Sequence, residues 1–165
     1  MLILFGSDHA GFELKERLIS YVSEMGYEVA DRGAFSYIEE DDYPDFIAPV
    51  AKEVSDSPDS KRGIVLGGSG QGEAIVANRF PNVRAVVYNG PQVLKERGEE
   101  GLSDSDDVIR LSREHNDSNI LSLGAKFLTE DEAKEAVKRW LEIPFSKAER
   151  HIRRIEKIDK VHGRS

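Results

Sequence analysis

The chain opens on a short apolar run, Leu2–Phe5, that stops at Gly6-Ser7-Asp8-His9-Ala10-Gly11. Apolar residues then recur at helical spacing, at Phe12, Leu14, Leu18, Ile19 and Val22, until Gly26 ends the pattern. Tyr27–Asp31 reads as a second strand, so the chain begins as a strand–helix–strand unit with parallel strands. Tyr37–Pro44 is acidic, aromatic and proline-containing and reads as a loop. Asp45–Val54 reads as a helix and Asp56–Lys61 as a polar loop. The run Gly63-Ile64-Val65-Leu66 has no polar position, as expected of a strand buried on both faces. Gly67–Gly72 follows it, and the pattern predicts a helix over Glu73–Phe80 and a strand over Arg84–Tyr88.

Gln92–Asp107 is charged and shows no core face. Val108–Arg113 reads as a helix and Asn119–Leu123 as a strand. Thr129, followed by Glu130, Asp131 and Glu132, supplies a hydroxyl cap and an acidic first turn for a helix that reaches about Leu141. Pro144 ends it, and a basic helix is expected over residues 146–162. Strand and helix alternate along residues 1–165 as in one doubly wound α/β domain with a parallel sheet. Ligands of such sheets bind beyond the carboxyl ends of the strands. Here those ends carry Asp8-His9, Gly67–Glu73 and Asn89-Gly90.

Composition narrows the function. A chain of 165 residues suits one domain. The net charge of −8 argues against nucleic acid, whose phosphates need clustered Lys and Arg. The end of the chain is nevertheless basic, with Arg150, Arg153, Arg154, Lys157, Lys160 and Arg164. That is either a solvated helix face or a patch for a small anion. There is no cysteine, which excludes disulfides and thiolate chemistry and fits a cytoplasmic address. No apolar run approaches the ~20 residues that span a bilayer, and Met1–Phe5 lacks the basic leader of a signal peptide. His9, His115, His151 and His162 show no tight metal spacing, so no metal is expected.

The strongest chemical feature is Gly67-Gly68-Ser69-Gly70-Gln71-Gly72-Glu73. Its glycines let backbone N–H groups converge on a phosphate or an oxyanion. It has neither the Lys of a nucleotide phosphate loop nor the dinucleotide spacing. Glu73 reads in two ways, as a carboxylate satisfying a helix N-terminus or as a general base. The helix N-terminus should lower its pKa, whereas a carbon-acid base gains from a raised one. Asp8 and His9 are either ligand-binding groups or polar strand-end caps. His115-Asn116-Asp117 sits in a polar turn with the same two readings.

Together these motifs resemble the ribose-5-phosphate isomerase B family, which also contains galactose-6-phosphate and allose-6-phosphate isomerases. The matching segments are Gly6–Phe12, Asp42-Tyr43-Pro44, Gly63–Gly72 with Ala77-Asn78, and Arg84-Ala85-Val86. Ser112–Asp117 with Asn119, and Arg150-His151 with Arg154, complete the set. The resemblance implies a Rossmann-like three-layer sandwich with a mostly parallel five-stranded sheet. It implies a homodimer, or a tetramer built from it, with sites shared between subunits. It also implies cofactor-free isomerisation of a phosphorylated sugar, ribose 5-phosphate to ribulose 5-phosphate, through an enediolate.

In one branch of the family a cysteine at the position of Gly67 is the base. The other branch uses a glutamate where this chain has Glu73, so the base role falls to Glu73. Ser69, Gly68, Gly70 and Gly72, with the Asn116 amide, match the enediolate cradle. His115 resembles the group that opens the furanose ring, and Asp8 the residue that binds sugar hydroxyls. His9, Arg150 and Arg154 resemble the phosphate clamp, and Tyr43 an aromatic near the sugar. Lys126 stands where the family commonly has Arg, which keeps the charge and loses the bidentate fork. The charged stretch over about 93–111 is longer than the usual connection and would serve as a lid, an interface element or a disordered insert. Another phosphosugar, or a non-catalytic binding role, are the rival readings.

Overall fold

The structure is a computed structural model that describes residues 1–91 and 107–161. Residues 93–106 of the charged stretch lie outside the described residues, as does residue 162 at the end of the expected basic helix. Five strands, β1 (Leu2–Ser7), β2 (Glu28–Asp31), β3 (Lys61–Gly67), β4 (Ala85–Tyr88) and β5 (Ile120–Gly124), form one sheet in the order β2-β1-β3-β5-β4. Every pairing is parallel, so the sheet expected to be mostly parallel is wholly so among the described residues.

Alternation along the strands builds two cores. Ile3, Phe5, Ile64, Leu66, Leu121 and Leu123 face one side. There they meet helices α1 (Phe12–Glu24), α4 (Val108–Glu114) and α5 (Glu130–Glu142). Leu4, Val65 and Ile120 face the other side, against α2 (Pro44–Asp56) and α3 (Gln71–Ala77). A strand with apolar residues on both faces reads as the continuous run seen at Gly63–Leu66. The result is the three-layer Rossmann-like sandwich.

One local signal held as read. Thr129 and Glu132 form a reciprocal capping box, with Thr129 N–H donating to the Glu132 carboxylate at 2.8 Å and Glu132 N–H to Thr129 Oγ1 at 3.3 Å. Pro44, read as the last residue of a loop, instead opens α2, where its missing N–H costs nothing, and that helix runs on to Asp56. Two further helices also differ in extent from the reading. The helix after the glycine loop starts at Gln71 and ends at Ala77, so Glu73 lies inside its first turn. The last helix, α6, starts at Glu149 and not near Ser146, because Pro144 and a positive φ of 55° at Lys147 carry an irregular link to it.

The connection from β1 crosses by α1 on one face and that from β3 by α3 on the other. The topological switch therefore falls between β1 and β3, where a crevice opens beyond their carboxyl ends. That crevice is flanked by Asp8-His9 and by the glycine loop.

Candidate active site

Burial of Glu73 is the central fact of the crevice. The residue is 4% exposed, and its carboxylate lies against the backbone of Gly67. A Cβ at Gly67 would sit 1.7 Å from Glu73 Oε1 and 2.2 Å from Cδ. The absence of a side chain at residue 67 is thus what makes room for the carboxylate. Burial pushes the Glu73 pKa up, its own backbone N–H opposes this, and the nearby Asp8 charge adds to the rise. Desolvation therefore outweighs the helix N-terminus, which resolves the conflict left by the sequence.

The loop is held from behind by the turn after β5. Ala125 N–H donates to the Gly67 carbonyl at 2.8 Å and Lys126 N–H to the Gly68 carbonyl at 3.1 Å. In a planar trans peptide the N–H points opposite the C=O. The N–H groups of Gly68 and Ser69 are therefore directed away from that turn. Ser122 Oγ donates to the Gly70 carbonyl at 2.6 Å, and Gly70 itself is left-handed with φ 77°, a conformation that favours glycine. Ser69 Oγ accepts from Gln71 N–H at 3.4 Å. Gly72 is bare for a steric reason, since a Cβ there would lie 2.8 Å from the Tyr43 ring. The loop's glycines serve side-chain approach at least as much as backbone approach to a ligand.

Asp8 is buried at the end of β1 and accepts from Ala10 N–H at 3.0 Å. His9 beside it is partly exposed. Its Nδ1 lies 2.7 Å from Asp41 Oδ1, which also accepts from His9 N–H at 3.0 Å. Asp41 was not singled out in the sequence. It sits in the acidic run Glu39-Glu40-Asp41-Asp42, where nothing local separates it from its neighbours. His9, Glu13, Tyr37, Glu39 and Lys126 line a cavity of about 380 Å³. Lys126, exposed at the mouth, reaches over Gly68, with Cε 3.5 Å from where a Cβ would stand.

Four of the expected site residues are elsewhere. His115 caps the end of α4, and Asn116 follows it. Helices in this fold run back against the strands, so α4 ends at the amino edge of the sheet, just before β5 begins. The five residues of β5 separate that edge from Gly124, a distance of roughly 15 Å at ~3.3 Å per residue. Ser146 N–H donates to the Glu114 carbonyl at 3.2 Å, which sets the start of α6 (Glu149–Val161) at the same edge. Arg150 and Arg154 lie on that helix.

These residues form their own cluster. The His115 and His151 rings lie 4.2 Å apart. Arg150 Nε donates to His151 Nε2 at 3.0 Å, which puts the ring proton on Nδ1, 2.9 Å from Ser146 Oγ. Burial, then the charges of His115 and Arg150, push the His151 pKa down, in keeping with a neutral ring. The glycine loop with Glu73, Asp8 and His9, and the cluster around His115 and His151, thus stand at opposite edges of the sheet.

A parallel sheet with a glycine-rich loop at its switch point, over a buried carboxylate, is the layout of an enzyme that moves a proton beside an anion cradle. The comparisons with known proteins agree. A family model described as Ribose/Galactose Isomerase matches residues 3–97 and 101–158. The chain is 41% identical over 156 residues to ribose-5-phosphate isomerase B of Mycolicibacterium paratuberculosis, covering 94% of this chain and 88% of that protein. It is 35% identical to the Escherichia coli ribose-5-phosphate isomerase B, covering 98% and 97%. A crystal structure of Mycoplasma genitalium ribose-5-phosphate isomerase B with bound ribulose 5-phosphate superposes with a TM-score of 0.85 at 30% identity, covering 99% and 97%. The chain belongs to the Ribose/Galactose Isomerase family. Among the described residues no helix is long and apolar enough to cross a membrane.

Proposed function

We propose that the chain interconverts ribose 5-phosphate and ribulose 5-phosphate, with Glu73 as the general base. The observation that carries this reading is the Glu73 carboxylate, buried in the space that Gly67 leaves and raised in pKa by that burial. Glu73 takes the proton from C2 of the open-chain aldose, and the electron pair moves onto the C1 oxygen. The N–H groups of Gly68 and Ser69, with Gly70 and Gly72 shaping the loop, stabilise the oxyanion of the enediolate. Return of the proton to C1, with transfer of the O2 proton to the O1 oxyanion, gives the ketose. Aldose and ketose are isomers, so the step is redox-neutral overall and consumes no oxidant or reductant. Asp8 and Tyr43 border the sugar, and His9 and Lys126 receive the phosphate.

His115, Asn116, Arg150 and Arg154 complete the site from a second copy of the chain. The support is their place at the opposite sheet edge, together with α6. That helix presents Ile152, Ile158 and Val161 exposed to solvent and buries only His151, an apolar row that wants a partner.

The test is Glu73→Gln with ribose 5-phosphate, read as turnover and as exchange of the C2 proton in heavy water. Loss of both, with binding of the sugar retained, is expected. Turnover at the wild-type rate would remove Glu73 from the mechanism. A panel of hexose and tetrose phosphates ranked by kcat/KM decides the sugar, with ribose 5-phosphate expected first.

A further inference from the structure

The loop before α2 contributes a charged group that the reaction scheme does not use. Asp41 sits in a turn closed by its own N–H on the Ile38 carbonyl at 3.1 Å. Its side chain is only 8% exposed. One oxygen, Oδ1, receives both the His9 backbone N–H and His9 Nδ1. The other, Oδ2, is buried without a hydrogen-bond partner. Among the described residues its one cationic partner is His9. A carboxylate removed from water to this degree needs a counter-charge close by, and the imidazole is the group in place to supply it.

Resting on the reading of His9 as a phosphate ligand, we propose that Asp41 is a positioning residue: it fixes the His9 ring by Nδ1 and holds it as an imidazolium, so that Nε2–H faces the substrate phosphate as a charged donor. The two hydrogen bonds to one oxygen tie the ring to the backbone of its own residue, so both orientation and tautomer are set before substrate arrives. A neutral imidazole held in this way would turn a lone pair toward the phosphate, so the ring must be charged in order to bind.

The surroundings favour the charged form. The bond to Asp41 is the largest influence raising the His9 pKa, partial burial opposes it, and the charges of Asp8 and Glu39 add to the rise. Glu13 and Lys126 share the same cavity wall, the one acidic and the other basic, and Tyr37 meets the ring edge-on at 6.1 Å between centroids. Loss of Asp41 would leave the His9 proton exposed to removal at neutral pH, when the sugar phosphate most needs a cation.

The experiment uses Asp41→Asn, which keeps an oxygen for Nδ1–H and removes the charge. Kinetics with ribose 5-phosphate across pH 6–9 are read beside the imidazole nitrogen shifts of His9 by NMR. In the wild-type enzyme KM rises as the pH climbs through the His9 midpoint. In Asp41→Asn that rise starts at lower pH, and KM near pH 8 is about tenfold higher, the size of a lost charge-assisted hydrogen bond, while kcat stays within about twofold. The substrate phosphate titrates alike in both enzymes, so the displacement between the profiles reports on the protein.

A His9 midpoint equal in the two enzymes overturns the proposal. A midpoint that falls without any movement of KM also overturns it, and His9→Gln then shows where the failure lies. If His9→Gln too leaves KM unmoved, the phosphate assignment of His9 has failed; if it raises KM, only the role of Asp41 has. The wild-type protein alone gives a reading that no folding defect can spoil. Its His9 should hold the Nδ1–H tautomer above its midpoint, and an Nε2–H tautomer there refutes the geometry.

Discussion

Gly67→Ala is the substitution that most directly tests how the carboxylate is held. Gly67 ends the central strand without a positive φ, so alanine meets no backbone penalty there. The obstacle is the Glu73 carboxylate, since the new methyl carbon would stand 1.7 Å from Oε1. Oε1 must retreat by about 1.3 Å before the contact reaches 3.0 Å, the closest that real Cβ contacts reach. A displacement of ~1 Å in a reacting group costs about 100-fold in rate, or about 2.7 kcal/mol of barrier. We therefore expect kcat for ribose 5-phosphate to fall about 100-fold with KM within about threefold, since the atoms nearest the added methyl all belong to Glu73 and none to His9 or Lys126. Steady-state kinetics and C2 proton exchange in heavy water measure it. A double-mutant cycle with Glu73→Gln isolates the cause: Gly67→Ala should cost almost nothing further once the base is gone. A kcat within about threefold of wild type, or effects that simply add, would refute the reasoning.

The remaining expectations concern protonation and assembly. Glu73 has a raised folded pKa, so the folded state holds this proton more tightly than the unfolded chain, and stability is lost as pH rises from the ordinary glutamate value through the raised one. Glu73→Gln should therefore melt above the wild type at pH 8 and level with it near pH 4; an equal or lower Tm at pH 8 counts against burial as the cause. Glu53 has the opposite sign. Its bonds to Arg32 at 2.5 Å and Lys61 at 2.8 Å lower its pKa from 4.5 to about 2. This stability is fully present above the unfolded value and fades as pH falls through the folded one. Glu53→Gln should cost about 1–2 kcal/mol in urea melts at pH 7, discounted for partial exposure, and close to nothing near pH 2. Mixing inactive Glu73→Gln with His115→Ala should regain about a quarter of wild-type activity, because a randomly mixed dimer carries one intact shared site; no recovery would mean that each chain builds its site alone.

The apolar period along the chain determined the elements. Gly63–Leu66 could only be buried on two faces, and Thr129 with Glu132 announced a capping box that formed. These signals are local, and local geometry answers to them. The glycine loop, Glu73, Asp8 and His9 were legible as chemistry because they fall at strand ends, where the doubly wound pattern places ligands. Membership of the isomerase family was legible in the same way, from motifs in order along the chain.

What the tertiary structure decided was everything that depends on distance between remote residues. The direction of the Glu73 pKa turned on burial, which no neighbour in sequence reports. Gly67 and Glu73 proved to be one feature, a missing side chain and the carboxylate that fills its place, though six positions apart. Asp41 became distinct from Glu39, Glu40 and Asp42 only through its turn onto His9. The resemblance implied shared sites without saying which residues each subunit gives, whereas the parallel sheet sends helix ends and strand ends to opposite edges and so sets His115, Asn116, Arg150 and Arg154 apart from the loop. A sequence lists the members of a site, but strand order and crossover direction decide which of them one chain can bring together.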